Sequence, residues 1–267
     1  MEKDEALMHL ATACVPANPD PAILEMEWLA AKAKLGAPQA NPGQPDIRPI
    51  PPEHHQYIAL LAAQPWVAQA LVHMPGASFQ LVEIDPLLAF QHTISQDRSG
   101  FHCGGLGNPP SMEELLNVCL PQQQANEPVM LSADGKSLLV RAESLNIKTL
   151  KAGPIQPGFL GIQIGLSLPL LHVVRFNGKC YLHNGFHRAL GARAAGATHV
   201  PCLFRDVNSH EEVGVNNAGA TFSAELLESG NPPTLFHFTQ GRAHNVQLRR
   251  AARYIHVSWS EFAMPVE

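Results

Sequence analysis

The sequence predicts an α+β fold, a mixed sheet preceded by an N-terminal helical segment. Three observations carry that prediction. The 267 residues are 45% hydrophobic and only 15% charged, which suits a packed core and not a disordered chain. Helical spacing interrupted by proline dominates the first quarter of the chain. After Pro75-Gly76, short apolar runs alternate with Gly-containing turns and brief helical stretches. The expected division is therefore a helical segment with a Pro-rich linker over 1–75 and a mixed-sheet domain with a C-terminal extension over 76–267.

Taken in order, Glu2 to Val15 has Leu7, Leu10 and Ala11 on one side of a helix. Asp20 caps a second helix, Pro21 suits its first turn, and Ile23, Met26, Leu29 and Ala30 form its stripe before Gly36. Ala37 to Pro52 holds six prolines and is taken as an extended linker. A third helix is expected from about Pro52 to Ala63, restarted or kinked by Pro65 toward His73. His54 and His55 are adjacent, so they point to different faces and make a poor metal pair. Strand Ser78 to Ile84 opens the sheet. Asp97 to Pro110 is Gly-rich, lacks the Lys-Ser/Thr ending of a P-loop, and is expected to be a flexible loop or lid. Ser111 and Glu114 form a capping box that starts a helix to Cys119. Pro128–Leu131 and Lys136–Val140 are expected strands around the turn Ser132–Gly135, and Leu145–Lys151, Gly158–Leu166 and Leu170–Phe176 extend the sheet.

The most informative stretch follows. Asn177-Gly178 sits between two apolar runs, the mark of a type I′ hairpin, because both central residues need positive φ. Strand Lys179 to His183 leads into Asn184-Gly185-Phe186-His187-Arg188, then a small-residue helix Ala189–Ala195 ended by Gly196, then a buried strand His199–Phe204. Gly185 lets the backbone approach a ligand, the first amides of a following helix point outward, and His187 and Arg188 add donors. That combination suits an anion. A turn glycine with a surface ion pair at Arg188 is the plainer alternative. Cys180, His183 and His187 have C-x2-H-x3-H spacing, but Cys180 and His183 would face opposite sides of a strand and no fourth ligand is evident, so no metal is expected. Beyond Phe204, short helices are expected over Asn208–Val215 and Thr221–Glu228, with a brief one ending at Phe238. Val246–Arg249 and Tyr254–Trp259 suit an edge hairpin in a tail that also carries Arg242, His244, Arg250 and Arg253.

The succession of hairpin strand, Gly-x-His-Arg, small-residue helix, glycine and Val-Pro strand resembles the ParB/sulfiredoxin-like superfamily. Phe79 to Gln91 is similar to that family's opening strand and short helix ending in Gln. The resemblance implies a nucleotide-phosphate site at Asn184, Gly185, His187 and Arg188, with Gln91-His92 near the same cleft. ATP or another nucleotide with Mg²⁺ is the implied cofactor. Glu83 and Asp85 close the first strand, where either would serve as a base or hold the cation, with His187 as a further catalytic candidate. For Asp85, capping a helix before Pro86 is the simpler role. Phe186 replaces the sulfiredoxin cysteine and Asn184 replaces the acid of the Asp-Gly-x-His-Arg branches, which weakens any particular reaction more than it weakens phosphate binding.

Net charge is −5 with the 14 His neutral, which disfavours a broad nucleic-acid face. Five scattered Cys suit reduced thiols rather than a disulfide frame, and no apolar run reaches membrane-span length, so a soluble cytoplasmic protein is expected. Three functions stay open. The first is a nucleotide-dependent enzyme that hydrolyses or transfers phosphate. The second is a ParB-like nuclease, although the partition-type DNA-binding region is lacking. The third is a non-catalytic module that binds a nucleotide, a phosphorylated small molecule or a partner. The sequence leaves the oligomeric state open.

Overall fold

The computed structural model describes residues 3–13, 19–35, 43–123, 129–133, 136–142, 147–166, 168–214, 221–239, 243–247 and 253–261. The order of elements begins α1 (Lys3–Ala13), α2 (Pro21–Leu35), β1 (Ile47–Pro49), α3 (His55–Ala62), α4 (Pro65–Val72), β2 (Ser78–Glu83), α5 (Gln96–Cys103) and α6 (Met112–Cys119). Four strands follow: β3 (Val129–Ala133), β4 (Ser137–Ala142), β5 (Ile147–Gln156) and β6 (Phe159–Leu166). Then come β7 (His172–Phe176), β8 (Lys179–Asn184), α7 (Phe186–Ala194), β9 (His199–Asp206), α8 (His210–Val213), α9 (Ala224–Glu228), α10 (Leu235–Thr239) and β10 (Arg253–Ser258). The fold is α+β with a mixed sheet. No helix among the described residues is long and apolar enough to cross a membrane.

The chain forms two compact units that differ from the expected division at residue 76. One combines 1–123 with 169–249, the other 124–168 with 250–267. The physical reason is strand pairing. β1, from the supposed linker, pairs antiparallel with β2 through Ile47↔Val82, so the segment before residue 76 contributes an edge to the main sheet. That sheet runs β1-β2-β9-β7-β8, with only β7 and β9 parallel. β9 is its centre, and Val200 to Phe204 are all buried. Pro201 is tolerated there because β7 joins β9 only from Leu203 onward, so the missing N–H interrupts no ladder on that side.

The β7–β8 hairpin forms as its sequence requires, with φ of 48° at Asn177 and 76° at Gly178. α6 opens on the full capping box of Ser111 and Glu114. Pro65 starts α4, and Gly196, at φ +93°, ends α7.

Several elements depart from expectation. Residues 96–103 are a helix, not a loop: the Ser95 side chain caps it by accepting from the Arg98 amide at 3.3 Å, and Ser99 and Cys103 are buried. The expected short helix before Gln91 is instead extended chain along β8, with Leu88 N donating to Cys180 O and Leu182 N to Leu88 O. Leu87, Leu88, Ala89 and Phe90 are all buried, and four consecutive buried residues cannot share one face of a surface helix. α7 begins at Phe186, three residues earlier than expected, which brings His187 and Arg188 into its first turn.

In the second unit, β3, β4 and β10 form one sheet and β5 and β6 another, so the strands after α6 are not a single sheet. Among the described residues, no hairpin of the tail joins them. β10 alternates as expected but pairs antiparallel with β4, Ile255 opposite Val140, and the residues around Arg249 and Arg250 lie outside those described. A small core of Val140, Ala142 and Ile147 holds this unit together, with Ile164 and Ile255 packed against it.

Candidate functional site

The Asn184–Arg188 corner is built by β8 running into α7 through Gly185, whose φ is +98°. A Cβ at Gly185 would stand 2.8 Å from Leu171 Cγ and 3.1 Å from Leu171 Cα. The glycine is therefore required by its closeness to Leu171 rather than by the approach of a ligand. Asn184 Nδ2 donates to Leu170 O at 3.1 Å, and Leu171 N donates to Cys119 O at 2.7 Å.

Arg188 completes the lock. It is buried, and its Nη1 donates to Pro169 O, to Cys119 O at 3.2 Å and to Val118 O at 3.5 Å. Val118 and Cys119 are the last turn of α6, whose carbonyls lack helical partners and favour a cation. The guanidinium expected to face phosphate is instead engaged with main-chain oxygens. Arg188 and Asn184 fasten the returning segment 169–171 and the end of α6 to the start of α7.

His187 occupies a different setting. It lies on the first turn of α7, half-buried, and its pKa is lowered to about 4, first by burial and then by the positive charges of Arg98, His102 and Arg188. Arg98 and His102 are one turn apart on α5, which crosses α7 where Cys103 meets Gly191. Their role was invisible in a stretch that looked like a Gly-rich loop; the i, i+4 spacing would have exposed it once the Ser95 cap was recognised. Ala189 N→Gly185 O at 2.9 Å is the first bond of the helix, so the amides of Phe186, His187 and Arg188 belong to the unsatisfied first turn. Phe90, whose ring lies 5.3 Å from Phe186 and 6.5 Å from His183, packs against this corner, while Gln91 after it forms a bridge with Thr221.

Glu83 and Asp85 lie elsewhere. Asp85 accepts a two-point salt bridge from Arg193 at 2.8 and 3.0 Å, so it caps no helix before Pro86. Arg193 is seven residues along α7 from Phe186, about 10 Å at 1.5 Å per residue. Glu83 sits opposite His199 at the start of β9 and accepts from Asp46 N at 3.1 Å. Asp85 thus belongs to the C-terminal end of α7 and Glu83 to the sheet beside Asp46 and His199, and neither bonds a residue of the Gly185 corner.

Between α5, α7 and α10 runs a cleft of about 590 Å³, within the range of small-molecule sites. Leu190, Gly191, Ala194 and Phe238 are among its walls. Helical spacing puts His187 on the same side of α7 as Leu190, Gly191 and Ala194. No family model, no curated protein and no solved structure matches this chain.

The four thiols among the described residues are unsuited to nucleophilic work. Cys103, Cys119, Cys180 and Cys202 are free and buried, and burial raises the pKa of Cys180 to about 11 and of Cys119 to about 12. Cys180 and His183, two thirds of the zinc-like spacing, have different surroundings: Cys180 feels Arg175 and Asp206, whereas His183 Nδ1 bonds Val213 O at 2.8 Å.

His172 gives the fold a pH dependence. It is buried, meets the His183 ring at 4.9 Å, and its pKa is lowered to about 3 by burial first and then by His183 and Arg205. The unfolded chain, with an ordinary His pKa near 6.5, therefore takes up this proton first as pH falls. This contribution to stability is complete above about pH 6.5 and is lost toward about pH 3, at no more than about 1.4 kcal/mol per pH unit. His187 acts with the same sign down to about 4. Urea midpoints should drop between neutral pH and about pH 5, and His172→Gln should flatten that slope. An unchanged wild-type midpoint would contradict the neutral burial of both rings.

Proposed function

We propose that the protein binds a phosphate-bearing small molecule, a nucleotide in the first instance, at the N-terminus of α7. The supporting observation is the convergence of the Arg98, His102 and Arg188 charges on His187, beside three amides of a helix first turn. Phosphate would accept from those amides and from His187, and the cleft along α7 would take the rest of the ligand against Leu190 and Phe238. An anion in this place offsets the positive field that adds to burial in keeping His187 neutral, so binding and proton uptake should be linked. The resemblance to the ParB/sulfiredoxin-like superfamily supports the same corner through its strand, glycine loop and helix.

Binding without turnover is the favoured form of this reading. The two carboxylates expected to serve as base or Mg²⁺ ligand are engaged elsewhere, Glu83 with the Asp46 amide and Asp85 with Arg193. The test is calorimetric titration with inorganic phosphate, ATP, ADP, CTP and GTP, each with Mg²⁺, on wild type and on His187→Ala. The variant should lose roughly tenfold in affinity, the share of one charge-assisted hydrogen bond. No heat with any of these ligands would refute the proposal. Release of inorganic phosphate from a bound nucleotide would replace binding with catalysis.

A further inference from the structure

The second unit carries an open strand edge with an unusual sequence. β6 ends the two-stranded β5–β6 sheet, and its outer side has no ladder partner among the described residues. Native edges of this kind are normally protected by charge, proline or a bulge that turns the edge away. All eight residues of β6 are uncharged, none is proline, and the two register shifts of its ladder fall on β5, between Thr149 and Lys151 and between Pro154 and Gln156. Phe159, Leu160 and Ile162 are exposed by 61%, 82% and 45%, far more than an apolar strand in a finished sheet.

The order of residues says what fits this edge. Leu160-Gly161-Ile162-Gln163-Ile164-Gly165-Leu166 reads the same in both directions about Gln163. Two antiparallel copies in that register would set Leu160 opposite Leu166, Gly161 opposite Gly165, Ile162 opposite Ile164, and Gln163 opposite itself. Like shapes then meet along the whole ladder. Leu160, Ile162 and Ile164 share one face by strand alternation, and Ile164 already packs on the small core of Val140, Ala142 and Ile147. Pairing would carry that apolar face across the two-fold axis, with each exposed Ile162 beside the partner's Ile164.

We propose that β6 is a self-recognition strand, through which two copies of this chain pair antiparallel about a two-fold axis at Gln163. Self-pairing is free of like-charge repulsion and of missing N–H donors, and it turns a marginal two-stranded ribbon into a four-stranded sheet. The paired edge is roughly 25 Å long at about 3.3 Å per residue. It buries less than the roughly 1,600 Å² of a standard interface, so the association is weak, on the order of tens of micromolar.

The test uses the full chain. Sedimentation equilibrium of the wild type should show a monomer–dimer equilibrium in that range, and Gln163→Lys, which sets two ammonium groups face to face on the axis, should weaken it at least tenfold. Under diamide oxidation, Gln163→Cys should cross-link as a dimer, because facing residues of an antiparallel pair lie within disulfide reach. Phe159→Cys, also exposed but off the axis, should cross-link no faster than the wild type. A wild type that stays monomeric to about 1 mM overturns the proposal. So does a dimer indifferent to Gln163→Lys, or one in which the two cysteine variants cross-link alike.

Discussion

Arg188→Ala should lower the stability of the fold by about 3 kcal/mol or more, well before any effect on ligand binding is considered. The guanidinium is buried and serves three carbonyls, those of Val118, Cys119 and Pro169. Removing it takes the charged donor from Val118 O and Pro169 O, leaves Cys119 O with the Leu171 amide alone, and opens a cavity between the end of α6 and the start of α7. Arg188→Lys should fall between the two, since an ammonium keeps a charged donor but does not reproduce the position of Nη1, from which all three bonds come. Guanidinium-chloride unfolding of both variants reads this directly. The alternative role makes the opposite prediction: if Arg188 were held for phosphate, Arg188→Ala would stay within about 1 kcal/mol of wild type and lose only affinity.

Gly185→Ala should be nearly as damaging, at roughly 2–4 kcal/mol. A residue with a Cβ is strained at φ +98°, and that Cβ would meet Leu171 at 2.8 Å from Cγ and 3.1 Å from Cα. The main-chain atom cannot rotate away, so the strand–helix corner has to shift. Shortening Leu171 relieves the clash with its side chain but leaves the crowding by its main chain and the φ strain. Gly185→Ala combined with Leu171→Ala should therefore cost less than the two single losses added together, by about 1 kcal/mol. Additive losses would mean that the two residues do not press on each other.

Much of this structure was legible in local chemistry. Asn177-Gly178 fixes a hairpin because few other residue pairs accept positive φ twice in succession. The Ser111–Glu114 box and Pro65 start their helices wherever they stand, since capping and a fixed φ depend only on neighbours in sequence. The burial of β9 follows from its apolar run. Strand, glycine and helix meet at Asn184–Arg188 in the order that the sequence sets them.

What each residue does at that corner was decided only by parts of the chain distant in sequence. Arg188 became a fastener because Pro169 and the end of α6 bring their carbonyls to it, and nothing in Gly-Phe-His-Arg announces them. Asp85 became a structural ion pair because Arg193 reaches it from more than a hundred positions away. Gly191 shows the same division most plainly. Helix propensity alone would favour alanine there, yet a Cβ would stand 2.6 Å from Cys103 Sγ and 3.0 Å from Ser99 O, because α5 crosses at that residue. β10 alternates by its own sequence, but its partner β4 lies more than a hundred positions earlier in the chain. Local order sets which turns, caps and strands form, because those depend on a few adjacent dihedrals. Which group meets which depends on long-range packing, and that is where the roles of Arg188, Asp85 and Gly191 were settled.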